Sequence, residues 1–126
     1  MQSYDPELQP KAEEWLVLDE QERLYLVEEF HSKARIKLPN LTMHAAFHAI
    51  VENQLAEGLA SVTRAIARLS TQGLSRHDAI HAVGTVLGEH LHERMNDKDT
   101  PQVAQARYDA AVERLTASEW YARYGA

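Results

Sequence analysis

Apolar residues recur along most of this chain at three- and four-residue steps, the period of a helix with one face turned inward. Leu24, Val27, Glu28, His31 and Arg35 fall on one stripe, Phe47, Val51 and Leu55 on a second, and Val62, Ile66 and Leu69 on a third. No segment alternates apolar and polar residues at the two-residue period of a half-buried strand. The pattern predicts an all-α protein.

Start and stop signals divide the stripes into elements. Asp5-Pro6 is a cap followed by proline, which predicts a short helix running to about Trp15. Asp19-Glu20-Gln21-Glu22 is a capping box, and the helix it opens should end before Pro39. Asn40 or Thr42 caps the next helix, and Gly58 suits its left-handed end. A shorter helix is expected from about Ser61 to Gln72, with Gly73 as its stop. Ser75-x-x-Asp78 opens a helix towards Met95, and Asn96-Asp97-Lys98-Asp99 reads as a polar loop. Thr100-Pro101 starts another helix ending near Leu115, and Thr116-x-x-Glu119 opens a last one. The expected architecture is a single domain over residues 1–126, a bundle of five to seven helices. A faint repeat (a His-pair helix followed by a helix ending Ala65-Ile66-Ala67-Arg68-Leu69 or Ala111-Val112-Glu113-Arg114-Leu115) suggests two helical hairpins related by a pseudo-twofold, with helical extensions at both ends.

The helix beginning near Thr42 carries His44, His48 and Glu52 at successive i, i+4 steps, one above the other on one face. The helix after Ser75 repeats the theme with His77 and His81. At about 100° per residue, Phe47, Val51 and Leu55 flank the first pair, and Ile80, Gly84, Leu87, Gly88 and Leu91 flank the second, so both pairs should look inward. Gly84 and Gly88 each cost a helix about 1 kcal/mol against alanine. Lying nearly in line with His77 and His81, they would let another helix or a ligand approach the backbone closely.

Imidazoles one helical turn apart can reach a common ion, their Cβ atoms being roughly 6 Å apart and metal–nitrogen bonds about 2.0–2.1 Å. The candidate metal ligands are therefore His44, His48, His77 and His81, with Glu52 able to replace one of them. Glu28, His31 and Glu89 are outer candidates. Imidazole and carboxylate donors suit zinc, nickel or iron better than calcium or magnesium. The competing reading is a structural or interaction domain whose histidines are packed and hydrogen-bonded, with Glu52 and Gln54 as partners. His90 and His92 are expected to be solvated.

Three sharper chemistries carry less support. His77-Asp78-Ala79-Ile80-His81 differs from the H-E-x-x-H metallopeptidase motif in its shorter acid. Glu28-x-x-His31 and Glu89-x-x-His92 match a step of di-iron bundles, but the other bridging carboxylates are missing. Glu28, His31 and Arg35 read first as an ion-pair ladder, with a ligand or ligand-supporting role for His31 as the alternative. No Gly-rich phosphate loop and no G-x-S-x-G turn occurs. Trp120, Tyr121 and Tyr124 read as a packing anchor, with a homodimer contact as the rival.

Composition narrows the partners. Net charge is -6 over 126 residues with seven histidines uncounted, and no basic patch offsets it, so nucleic acid is not an expected partner. No cysteine is present, which excludes disulfides, thiol nucleophiles and thiolate metal sites. No apolar run approaches a membrane span, and Met1–Pro6 has neither the basic nor the apolar region of a signal peptide. A cytoplasmic protein is the expectation.

From Trp15 to about residue 95 the chain also resembles a bacterial all-helical family known only as a domain of unknown function. The resemblance rests on Trp15-Leu16-x-Leu18-Asp19, Leu24 through His31, and Ala34-Arg35-x-x-Leu38-Pro39. It continues through His44-x-x-x-His48-x-x-Val51-Glu52-Asn53-Gln54 and Arg76-His77-x-Ala79-Ile80-His81-Ala82. It implies a small helical protein and no particular activity; residues 96–126 form an extension outside it.

Overall fold

In the computed structural model, which describes residues 1–35, 40–94 and 98–124, the described residues form seven helices and no strand. They are α1 (Ala12–Leu16), α2 (Glu20–Lys33), α3 (Leu41–Ala56), α4 (Ala60–Thr71), α5 (Arg76–Arg94), α6 (Pro101–Arg114) and α7 (Ala117–Tyr124). Most of the start and stop signals act where the sequence puts them. The Asp19–Glu22 capping box forms in both directions, Asn40 accepts from Met43 N–H, and Thr100 accepts from Val103 N–H ahead of Pro101. Gly58 and Gly73 take φ of 77° and 103°, the left-handed region that ends a helix at little steric cost for glycine. The expected limit of α2 at Pro39, the end of α5 at Met95, and Asn96 and Asp97 of the loop lie outside the described residues.

The first helix departs from expectation. It begins at Ala12, and Asp5 and Pro6 belong to a turn in which Leu8 N–H donates to Asp5 O. Pro10 supplies the reason: inside a helix running from Pro6 it would remove one hydrogen bond and clash with the preceding turn, at about 3 kcal/mol. The first ten residues therefore stay non-helical, and they carry Tyr4 and Pro6 into buried positions.

Helix α3 is apolar on more than one face, and a helix of that kind is stable only when surrounded. It packs against α1, α2, α4 and α5, and it separates two apolar clusters. One lies with α4, α5 and α6 and includes Val51, Val62, Leu69, Ile80, Val83 and Val112. The other lies with the N-terminal segment, α1 and α2 and includes Tyr4, Trp15, Leu26, Val27, Ala45 and Ala49. The run Glu52-Asn53-Gln54 ties α3 to three neighbours in turn. Glu52 binds Arg76 of α5, Asn53 accepts from Trp15 Nε1 at 2.8 Å, and Gln54 accepts from the Tyr108 hydroxyl at 2.7 Å. These bonds fix the rotation of α3, and so the direction of its histidines.

Trp120 packs against the larger cluster while Tyr121 is exposed, so α7 anchors through its tryptophan. No helix among the described residues is long and apolar enough to cross a membrane.

Candidate metal centre

Five imidazoles from three helices gather between the two apolar clusters. His44 and His48 project from α3, His77 and His81 from α5, and His31 from α2. Ring centroids lie 4.3 Å apart for His44 and His81, 4.8 Å for His31 and His44, and 5.3 Å for His31 and His48. One ring nitrogen from each of His31, His44, His48 and His81 lies within 4.8 Å of the others. Four nitrogens set tetrahedrally about one ion at about 2.0–2.1 Å sit about 3.4 Å from one another. The widest-spaced donors thus need to draw together by about 1.4 Å to close on a single ion.

His77 is the outlying ring of the five. Its Nε2 lies 3.3 Å from His31 Nε2, and its centroid is 4.1 Å from that of His81. Glu52 is outside the converging group. Arg76 donates to both of its oxygens at 2.7 Å, and the Tyr4 hydroxyl donates to Oε2 as well. Among the described residues the converging group leaves out His77, so the His77–His81 pair of the peptidase-like motif is not its donor pair, and it contains no carboxylate of the di-iron kind. Asp78 N–H donates to Ser75 Oγ in the opening turn of α5, and Glu89 pairs with Arg123 at 2.9 Å.

His31 is the residue whose first sequence reading the structure corrects. Its side chain is fully buried, so it takes no part in a surface ladder, and Arg35 has left the helical register with φ of 57°. The available signal was its place on the Leu24–Val27 stripe. His92 is exposed as expected, whereas His90 is half-buried beside Tyr108 with Nδ1 3.2 Å from Val86 O. Tyr4 is the participant that no motif marked.

The hydrogen bonds determine which nitrogens are available as donors to an ion. A carbonyl only accepts, so His31 Nδ1–H donates to Val27 O at 2.8 Å and the lone pair sits on Nε2. Tyr4 has one proton and gives it to Glu52. His48 must therefore donate from Nε2 to the Tyr4 oxygen, at 2.6 Å, which puts its lone pair on Nδ1. That Nδ1 is buried and has no hydrogen-bond partner. A buried polar atom left unpaired costs about 1–3 kcal/mol, and such an atom calls for an explanation. His48 donates to Tyr4 and Tyr4 to Glu52, while Arg76 donates to Glu52 from the other side, so the network fixes the His48 tautomer and leaves its Nδ1 bare. Replacing Tyr4 by phenylalanine should release that tautomer and lower affinity for an ion by about 10–100-fold, read by competition against a chelator.

Burial is the largest influence on these rings, and their mutual proximity adds to it. His44 is pushed down from 6.5 to about 4, and His48, His77 and His81 are also lowered, His48 and His81 more strongly. The four are neutral at neutral pH, the form that binds metal. Burial also pulls Arg76 down, but the hydrogen bonds and charge of Glu52 outweigh it and leave Arg76 raised. Because the folded histidines hold protons more weakly than the unfolded chain, the unfolded state gains protons first on acidification. The metal-free fold should therefore lose stability as pH falls below 6.5, with the His44 contribution spent by about 4. Urea midpoints at pH 7.5 and 5 test this, and His48→Gln should flatten the difference.

A cavity of about 450 Å³ opens beside the cluster, and His44, His48 and His81 reach its wall. Gly84 and Gly88 line it too. The close approach expected at these glycines is made by Phe47 of α3, whose ring lies 3.4 Å from where a Gly88 Cβ would stand.

No family model, no curated protein and no solved structure matches the chain.

Proposed function

We propose that this protein binds one divalent transition-metal ion (zinc, nickel or iron) through His31, His44, His48 and His81. The observation that supports it is the convergence of four imidazole nitrogens within 4.8 Å, two of the rings fully enclosed and none paired with a carboxylate. Nitrogen donors select such ions over calcium or magnesium. Tyr4, held by Glu52 and Arg76, stands behind His48 and fixes its tautomer, as partners one step from a metal do. His77 Nε2 instead faces the His31 lone pair that the ion would take. The resemblance to the bacterial helical family belongs to the same proposal, since the histidines that carry it are those in the cluster. An ion held here with a free position towards the cavity would activate water or bind oxygen.

The rival reading is a structural cluster in which the rings are only hydrogen-bonded to one another. His44 Nε2 and His81 Nε2, 2.8 Å apart, favour it, because one shared proton satisfies both. Elemental analysis separates the two readings in untagged protein purified without added metal. The proposal expects one ion per chain, lost in His48→Ala and in His81→Ala. Metal-free protein whose melting is unchanged by zinc, nickel or iron overturns it.

A further inference from the structure

The cavity beside the histidines has a composition that the metal proposal does not use. Phe47, Ile80 and Trp120 form its apolar walls, from α3, α5 and α7. Gly84 and Gly88 lie on the same face of α5 as His81 and line the cavity there with backbone. A Cβ at Gly84 would meet nothing closer than Phe47 Cβ at 3.8 Å, an ordinary contact. Packing of α3 on α5 therefore does not require glycine at 84, although each glycine costs the helix about 1 kcal/mol against alanine. Phe47 covers the Cβ side of both glycines, and the rest of their backbone lines the cavity next to His81.

The polar side chains on the wall other than histidine are already engaged. Thr85 Oγ1 donates to His81 O at 2.9 Å, and Glu89 is bound by Arg123. The histidine end is different: His48 Nδ1 is buried, unpartnered and part of a side chain that lines the cavity. The space is thus apolar along its length and chemically active at one end. Small-molecule sites of about 300–1,000 Å³ have this character, apolar walls with few convergent polar groups. At 450 Å³ it has room for an aromatic ring with a short polar arm.

We infer that this cavity is the binding site for a small aryl-bearing molecule whose single donor atom completes the coordination of the ion, its ring lying between Phe47 and Trp120. This rests on the metal reading above. Aromatic side chains favour a ring as occupant, through offset or edge-to-face contact.

The test uses the full chain loaded with cobalt(II), whose visible absorption reports a new donor. Imidazole and 4-phenylimidazole are the probes, since they share a donor and differ by one ring. The expected result is binding of the phenyl probe at least tenfold tighter, with quenching of Trp120 fluorescence that Trp120→Phe abolishes. Gly88→Leu, which fills the cavity, should remove that preference while cobalt still binds. Should the leucine variant not fold, Trp120→Ala, on the terminal helix, is expected to reduce the preference at least threefold. Cobalt binding with equal affinity for the two probes, or with a preference unchanged in both variants, overturns the ligand site and leaves the metal site standing. Failure of cobalt to bind overturns both.

Discussion

Replacing His31 by alanine is expected to lower metal affinity by more than about a hundredfold, whereas His77→Ala lowers it by no more than about tenfold. The contrast follows from position. His31 supplies one of the four converging nitrogens, while His77 stands outside the group, its Nε2 3.3 Å from the His31 Nε2 lone pair that the ion would take. Partners one step from an ion are worth about 10–100-fold in affinity, so a donor should exceed that range and His77 should sit at or under its lower edge. Because His31 is fully buried, its loss also destabilises the bundle, and the two effects must be separated. The readout is the rise in melting temperature on adding metal to each protein. An ion at about a hundred times its dissociation constant adds about 2.7 kcal/mol, or about 10 °C for a chain of this size. Wild type and His77→Ala should show most of that rise, and His31→Ala almost none. Equal losses in the two variants would mean that the donor set includes His77 after all.

Glu52→Ala should be the most destabilising single change near the site, by about 3–5 kcal/mol. The Glu52 side chain is 1% exposed, and the Arg76 guanidinium grips it with two bonds of 2.7 Å. Removing the carboxylate leaves a largely enclosed cation and the Tyr4 hydroxyl without their acceptor. Against a total stability of about 5–15 kcal/mol, this should lower the melting temperature of metal-free protein by about 10–20 °C. Glu52→Gln keeps the shape and one acceptor and should lose about 2 kcal/mol. It should also weaken metal binding, because the Tyr4 proton is then less firmly held and His48 can change tautomer. A cost under about 1 kcal/mol for Glu52→Ala would show that the pair is not enclosed as described.

The helices and four of the five clustered histidines were legible because their signals are local. Caps such as Asp19 and Thr100 act within one turn, and an i, i+4 histidine pair declares its face on its own helix. His31 had no such pair on α2, so nothing in its neighbourhood separated a ligand from a member of an ion-pair ladder. Glu52 shows how far helical spacing can be trusted. Each i, i+4 step turns by about 40°, so two steps carry Glu52 about 80° round from His44, towards Arg76 and Tyr4. Tyr4 was out of reach of sequence reasoning, since its partners His48 and Glu52 lie 44 and 48 positions away. Pro10, which keeps the first ten residues out of α1 and so frees Tyr4 to reach the cluster, was readable in principle; the Asp5-Pro6 signal pointed elsewhere.

X-ray absorption at the metal edge of protein loaded with one equivalent of zinc, nickel or iron tests the donor set most directly. The four-histidine site requires an inner sphere dominated by imidazole nitrogens at about 2.0–2.1 Å, with multiple scattering that accounts for four rings in wild type and three in His31→Ala. A sphere of water and carboxylate oxygens, or an ion that dialysis removes equally from wild type and His31→Ala, would contradict it.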